Sequence, residues 1–280
     1  MQLERYLARI GLPAAPVTDP EGLARLQRAH RLAIGFENLD VRLGRGIAID
    51  EASVFEKLVV QERGGYCFEQ NRLLSDALSA LGVPNRPLLA RVWLGVVPDV
   101  VPPRTHVCLL ATIDGEPWLM DAGFGGSNLP PLPMRDGAQA ITPDGAAHRL
   151  VRTEGRGALA GEWKLERAGP SLATDGRAAA HDAWQPQYSF DLAEVAAEDL
   201  EQANHWTSTR PGTRFTTLHI ASIVLENGFA ALTDRELTVY RESGAEKRSV
   251  TDLHDYRETL RSIFRIRLSA EEVERLPLFA

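Results

Sequence analysis

The sequence predicts an α+β protein in three parts, residues 1–85, 86–197 and 198–280, rather than a doubly wound sheet. Three observations carry this. Apolar residues recur at helical spacing through the first third of the chain. From Pro87 the pattern changes to that of strands, with a strong hairpin signal. After about Glu198 a second hairpin signal is followed by a closing helical pattern.

In the first part, Leu3, Tyr6, Leu7 and Ile10 share a helical face. Asp19 before Pro20 pairs a capping side chain with a first-turn proline, and Leu23 and Leu26 carry that helix toward His30. Another helix starts after Asp50, with Val54, Phe55, Leu58 and Val59 on one side. Gly64 and Gly65 interrupt the pattern. A new helix opens near Cys67, runs through Leu74, Leu78 and Leu81, and stops at Gly82 and Pro84.

In the second part, residues 88–94 and 105–113 are strand candidates. Asp114-Gly115 is a two-residue hairpin turn, and residues 117–121 form the returning strand. Residues 123–133 are a glycine- and proline-rich loop. Residues 136–161 are dense in turn formers, and 163–165 and 187–192 are weaker strands. In the third part, residues 215–226 and 229–232 flank Asn227-Gly228, read as a second hairpin turn, with a further strand at 236–241. Leu253, Tyr256, Leu260, Ile263 and Phe264 give the closing helix. Ser269 and Glu272 form a capping box for a last short one.

Of 280 residues, 44% are hydrophobic and 25% charged, enough to build a core without disulfides or metal. A net charge of -7 argues against a broad nucleic-acid footprint. Two cysteines, Cys67 and Cys108, exclude a disulfide framework and a four-cysteine metal site, so no metal is expected. Residues 1–12 mix charges with apolar residues and lack a signal-peptide core. No apolar run reaches the roughly 18 residues of a membrane span. A cytoplasmic chain with reduced thiols and no membrane partner is expected.

The chemistry concentrates in Arg63-Gly64-Gly65-Tyr66-Cys67-Phe68-Glu69. Two glycines allow a sharp turn and a close ligand approach. Cys67 then falls in the first turn of a helix, where free amides and the dipole favour a thiolate. Such placement can lower a thiol pKa from about 8.5 to about 3.5–7.5. The plainer alternative is a small buried hydrophobe. The hairpin supplies partners. If Asp114 and Gly115 are the loop, Ile113 opposes Glu116, Cys108 opposes Asp121 and His106 opposes Gly123. Strand alternation then puts His106, Cys108 and Asp121 on one face. His106 and Asp121 become diagonal neighbours about 7–8 Å apart, within side-chain reach. A carboxylate there fixes the imidazole tautomer and stabilises the imidazolium. Val107, Leu109, Ala111, Trp118 and Met120 fall on the packing face. Cys108 lies within an apolar strand, away from any helix terminus, and reads as a structural thiol.

Phe36-Glu37-Asn38-Leu39-Asp40, Arg63 to Asn71, Thr105-His106 and Asp121-Ala122-Gly123-Phe124-Gly125 together resemble the arylamine N-acetyltransferases in their bacterial form, with a weaker match over residues 206–215. The resemblance implies a helical bundle carrying the cysteine, a β-barrel carrying the histidine and aspartate, an α/β lid, and a cysteine-protease-like Cys-His-Asp core. It implies a triad of Cys67, His106 and Asp121. It also implies a ping-pong reaction in which acetyl-coenzyme A acylates the cysteine and an arylamine or arylhydrazine takes the acetyl group.

Phe36, Trp93, Phe124 and Trp206 are candidate walls for the aromatic acceptor, with core packing as their alternative. Thr105, Gly125 and Gly126 are candidate coenzyme contacts, within a loop, residues 123–127, whose amides could meet phosphates. A monomer or homodimer is expected. Competing readings are an amide synthase with another acceptor, a hydrolase with the same three residue types, and a binding module without activity.

Overall fold

A computed structural model describes residues 1–96, 100–126, 129–142, 145–154, 161–169, 181–241 and 243–279, without the side chains of 181 and 182. The helical segment holds α1 (Leu3–Arg9), α2 (Pro20–Ala33), a two-residue strand β1 (Phe36–Glu37), α3 (Leu39–Arg42), α4 (Glu51–Phe55) continuing as a π-helical turn (Glu56–Val60), and α5 (Cys67–Ala80). The strands β2 (Asn85–Val92), β3 (Arg104–Ile113), β4 (Glu116–Met120), β5 (Leu132–Pro133), β6 (Ala138–Ile141), β7 (Ala147–Arg152), β8 (Trp163–Gly169) and β9 (His181–Phe190) follow. Then come α6 (Ala197–Thr209), α7 (Arg214–Thr217), β10 (Ile220–Leu225), β11 (Gly228–Thr233), β12 (Glu236–Arg241), β13 (Gly244–Ser249), α8 (Leu253–Ser262) and α9 (Ala270–Glu274).

The helix starts follow from their caps. Asp19 accepts from the Gly22 amide at 2.7 Å, with Pro20 at the first helical position. Asp50 accepts from the Ser53 amide at 3.0 Å. Ser269 and Glu272 exchange the two bonds of a capping box, at 3.2 and 2.7 Å. Gly82, at φ +77, ends α5 in the left-handed conformation that suits glycine.

Eight strands form one nearly closed antiparallel barrel in the order β5-β4-β3-β2-β9-β8-β7-β6, whose two end strands come into contact. The β3–β4 hairpin has the expected register: Ile113 opposes Glu116, and Asp114 and Gly115 both take positive φ. Alternation divides it between two cores. Cys108 and Leu119 point into the barrel, with Leu88, Leu150, Leu165, Tyr188 and Phe190. Leu109, Ala111 and Met120 point outward onto Leu73, Leu74 and Ala77 of α5. The barrel wall is therefore also the floor on which the helices pack. A second sheet, β1-β10-β11-β12-β13, is covered by α8 and α9. Its edge strand β1 comes from the helical segment, with Phe36 opposite Ser222 and Glu37 opposite Ala221.

Several elements differ from expectation. β2 begins at Asn85 and includes Pro87, because β9 pairs only with residues 90–92 and leaves Pro87 no second neighbour that needs its amide. Residues 214–217 are helical, so the expected strand at 215–226 shortens to β10. The second hairpin turns at Glu226-Asn227, one residue early. Gly228 already lies in β11, where a Cβ would stand 1.9 Å from the Tyr240 carbonyl oxygen. α6 and β13 were not expected. Among the described residues no helix is long and apolar enough to cross a membrane.

Candidate active site

The segment before α5 is tied down on every side. The Glu69 carboxylate accepts the Tyr66 amide at 3.0 Å, which fixes the helix start. Glu69 also meets Lys57 Nζ at 2.6 Å, and Lys57 meets Asp40 at 2.7 Å. Arg63 is buried against Glu37 at 2.8 Å and Asp40 at 3.1 Å. Burial pushes the Glu69 carboxyl up, Lys57 opposes it, and the net direction is upward. Arg63 and Glu69 thus brace the cysteine's helix through buried pairs rather than lying solvated. Removing one partner of such a pair is costly, because a buried charge is left alone.

From the other side, Gln70 Nε2 donates to the Gly35 carbonyl at 2.9 Å and the Gly65 carbonyl at 3.1 Å. Its oxygen accepts from His30 Nε2 at 2.6 Å, and Tyr6 donates its hydroxyl to His30 Nδ1 at 2.9 Å. These partners define a neutral Nε2–H tautomer with both nitrogens satisfied. Burial pulls His30 down to about 4.

Cys67 is the first residue of α5 and is 3% exposed. Its thiol donates to the Thr105 carbonyl at 3.7 Å. The expected lowering of its pKa is not what the surroundings produce. Burial pushes the thiol up to about 12, the Asp121 carboxylate adds to the rise, and the amides of Val107, Phe68 and Cys67 itself oppose it. The helix terminus is outweighed by desolvation.

His106 and Asp121 meet as the hairpin register requires. Their Nε2 and Oδ2 atoms lie 2.7 Å apart, with both residues buried. Asp121 Oδ1 accepts three further bonds, from Asn71 Nδ2 at 2.9 Å, the Gly123 amide at 2.8 Å and the Phe124 amide at 3.1 Å. Burial alone would raise this carboxyl. His106, Asn71 and the Gly123 amide outweigh it and hold it below the usual carboxylate value. An ionised Asp121 accepts the Nε2 proton, which leaves Nδ1 as the nitrogen able to take another. Tyr188 and Phe124 pack on the ring, with centroids 4.9 and 5.1 Å away.

Gly123 is where the hairpin reaches α5. A Cβ there would lie 2.7 Å from Cys67 Cα and 2.6 Å from Asn71 Nδ2, so only glycine fits without a shift. Arg31 of α2 clamps the same loop. Its guanidinium donates to the carbonyls of Ala122 at 3.0 Å, Phe124 at 3.4 Å and Gly126 at 2.6 Å. The loop is held between an anion on its amides and a cation on its carbonyls. Burial pulls Arg31 down to about 10, against the pull of Asp121.

A cavity of about 230 Å³ opens at this point. Cys67, His106, Phe36, Phe124, Trp206, Thr105 and Gly125 line it, so seven of the ten sequence-derived candidates meet in one place. Asp121 stands behind His106. Gly126 offers its carbonyl to Arg31 and does not line the cavity. Trp93 does not line it either. Val92 takes that place, and at the next residue the Trp93 indole donates to Ser189 at 2.9 Å. Ser127 lies outside the described residues. Thr207, Thr213, Arg214 and Phe215 also line the cavity, brought by helices α6 and α7 that lacked a clear sequence signal. Among the described residues no group of side chains could hold a metal ion.

A family model described as N-acetyltransferase matches residues 19–273. The arylamine N-acetyltransferase of Escherichia coli K12 is 36% identical over 254 residues, covering 90% of this chain and 84% of that protein. The structure of arylamine N-acetyltransferase from Salmonella typhimurium superposes with a TM-score of 0.86 at 33% identity, covering 98% of this chain and 97% of that one. That of the Mycobacterium marinum enzyme in complex with CoA gives 0.83 at 31% identity, covering 98% of each chain. The chain belongs to the arylamine N-acetyltransferase family.

Proposed function

We propose that this protein moves an acetyl group from acetyl-coenzyme A to an arylamine or arylhydrazine through a thioester on Cys67. Family membership makes it an acyltransferase with acetyl-coenzyme A as cosubstrate. The observation that carries the covalent route is the shared cavity of Cys67 and His106, with Asp121 held on His106 Nε2 at 2.7 Å.

Burial favours the protonated form of the Cys67 thiol. Its proton passes to His106 Nδ1 as the sulfur attacks, while Asp121 stabilises the imidazolium. Collapse of the adduct breaks the bond to the coenzyme's sulfur, which takes the proton back from His106. The acetyl group is now on Cys67 Sγ. In the second half, the amine nitrogen attacks the thioester carbonyl and gives a proton to His106. The Cys67 thiolate leaves and is reprotonated. One thioester replaces another in the first half, so that half is nearly balanced, and amide formation drives the second.

The walls suit this use. Phe36, Phe124, Phe215 and Trp206 offer faces for an aromatic ring. A volume of about 230 Å³ fits an acetylated thiol arm or one aromatic ring rather than a whole nucleotide. Thr105, Gly125, Thr213 and Arg214 are the coenzyme contacts we assign. Residues 198–280 act as the lid, since α6 and α7 supply one wall. Mass spectrometry after incubation with acetyl-coenzyme A tests the reading. One acetyl group on the Cys67 peptide is expected, and none in Cys67→Ser. An adduct elsewhere, or none at all, would reject it.

A further inference from the structure

One wall of the cavity at Cys67 comes from α6 and α7, which supply Trp206, Thr207 and Phe215. Little apolar surface anchors α6. Its buried residues, Asn204, Thr207 and Ser208, are all polar, and only the partly buried Leu200 and Ala203 join the apolar cluster beneath it. Thr207 and Ser208 donate to carbonyls of their own helix, at 2.7 and 2.8 Å. Asn204 reaches out of it. Its Nδ2 donates to the Ile47 carbonyl at 2.8 Å, and its Oδ1 accepts the Tyr66 hydroxyl.

Tyr66 is fully buried, stands directly before Cys67, and does not line the cavity. Glu69 holds its amide at 3.0 Å, its ring meets Phe215 edge-on at 5.6 Å, and its hydroxyl ends on Asn204. One side chain thus joins the start of α5 to both helices of the wall. α7 has a further anchor, because Asn38 Nδ2 donates to the Phe215 and Leu218 carbonyls, each at 2.8 Å. For α6 the corresponding anchor is Asn204.

We propose that Tyr66 and Asn204 are a positioning pair for the acceptor. Their contact fixes α6 against the start of α5 and so brings Trp206 and Thr207 to the cavity, while neither Tyr66 nor Asn204 lines it. That this wall meets an amine rests on the acetyl-transfer reading; what holds the wall does not. Loss of the pair falls on the amine half of the reaction rather than on loading of Cys67, since α7 keeps its anchor at Asn38.

The test compares the whole wild-type chain with Asn204→Ala, Tyr66→Phe and the double variant. Hydrogen exchange read by mass spectrometry should quicken over α6 in each variant and stay unchanged over α5. The KM for aniline should rise roughly tenfold in Asn204→Ala, the scale of one or two lost hydrogen bonds, while single-turnover acetylation of Cys67 without acceptor stays within about twofold. The double variant should match Asn204→Ala within about twofold, because Tyr66→Phe removes part of the same contact. Unchanged exchange over α6, an unchanged KM for aniline, or equal losses in loading and transfer would each overturn the proposal. A wild type that fails to acetylate at Cys67 rejects the acetyl-transfer reading instead, and the exchange result then decides by itself whether the pair holds α6.

Discussion

Asn71 Nδ2 donates to Asp121 Oδ1 at 2.9 Å, joining the helix that begins at Cys67 to the hairpin that carries His106. Asn71 also donates to the Val107 carbonyl and accepts the Ala122 amide. One buried side chain therefore sets the spacing between the start of α5 at Cys67 and the hairpin residues His106 and Asp121. Asn71→Ala leaves two buried backbone groups and one carboxylate oxygen short of partners, at about 1–3 kcal/mol for each unsatisfied group. Urea unfolding should show a loss of roughly 2–4 kcal/mol, after partial rehydration of the site. Steady-state kinetics should show kcat/KM down by about 10²-fold.

Asp121→Asn addresses orientation alone. An amide in this position favours the wrong imidazole tautomer, and kcat is expected to fall about 10³–10⁴-fold with little change in fold. Near-normal turnover, measured as coenzyme A release, would remove Asp121 from the catalytic group.

Arg31 positions the loop without touching the cavity. Arg31→Met keeps much of the apolar stem and removes the donors to Ala122, Phe124 and Gly126. The acceptor KM should rise several-fold through the Phe124 wall, while acetylation of Cys67 in the absence of acceptor changes less. Comparing single-turnover acetylation with the acceptor KM separates a positioning role from a general loss of folding.

His30 makes stability depend on pH. Its folded value is about 4 against 6.5 for the free side chain. Between those values the unfolded chain binds more protons, so stability rises with pH across the window and is lost as pH falls from 6.5 toward 4. The shift corresponds to roughly 3 kcal/mol. Asp121 acts in the same direction at lower pH. Its folded pKa is depressed, so its contribution is present above the unfolded carboxylate value and is lost as pH falls through the folded one. Urea midpoints from pH 7 to 4 should fall steadily. They should fall less in His30→Gln.

The parts of the site legible in the sequence are those that adjacent residues dictate. Asp114-Gly115 determined a two-residue loop, the loop determined the register, and the register put His106 and Asp121 on one face. The caps at Asp19, Asp50 and Ser269 were readable for the same local reason. The parts that were not legible arise from distance. Tyr188 reaches His106 from β9, and Arg31 reaches the 122–126 loop from α2, with nothing nearby in sequence to announce either contact. Trp93 looked like a pocket wall by residue type, but Val92 lines the cavity and the Trp93 indole turns to Ser189. β13 carries Glu246, Lys247 and Arg248, which mark a solvated edge strand and hide the alternation that identifies buried ones. The pKa of Cys67 shows the same limit. Its helix position is local and was readable, while the burial that raises it comes from the assembled fold.

The thioester on Cys67 is the central claim. The direct measurement is a two-step chase. The enzyme is acetylated with radiolabelled acetyl-coenzyme A, freed of excess, and then mixed either with an arylamine or with buffer alone. One equivalent of coenzyme A should be released on loading, followed by rapid transfer of label to the amine and far slower loss to water. Loss of label to water as fast as to the amine would contradict it and make the protein a hydrolase.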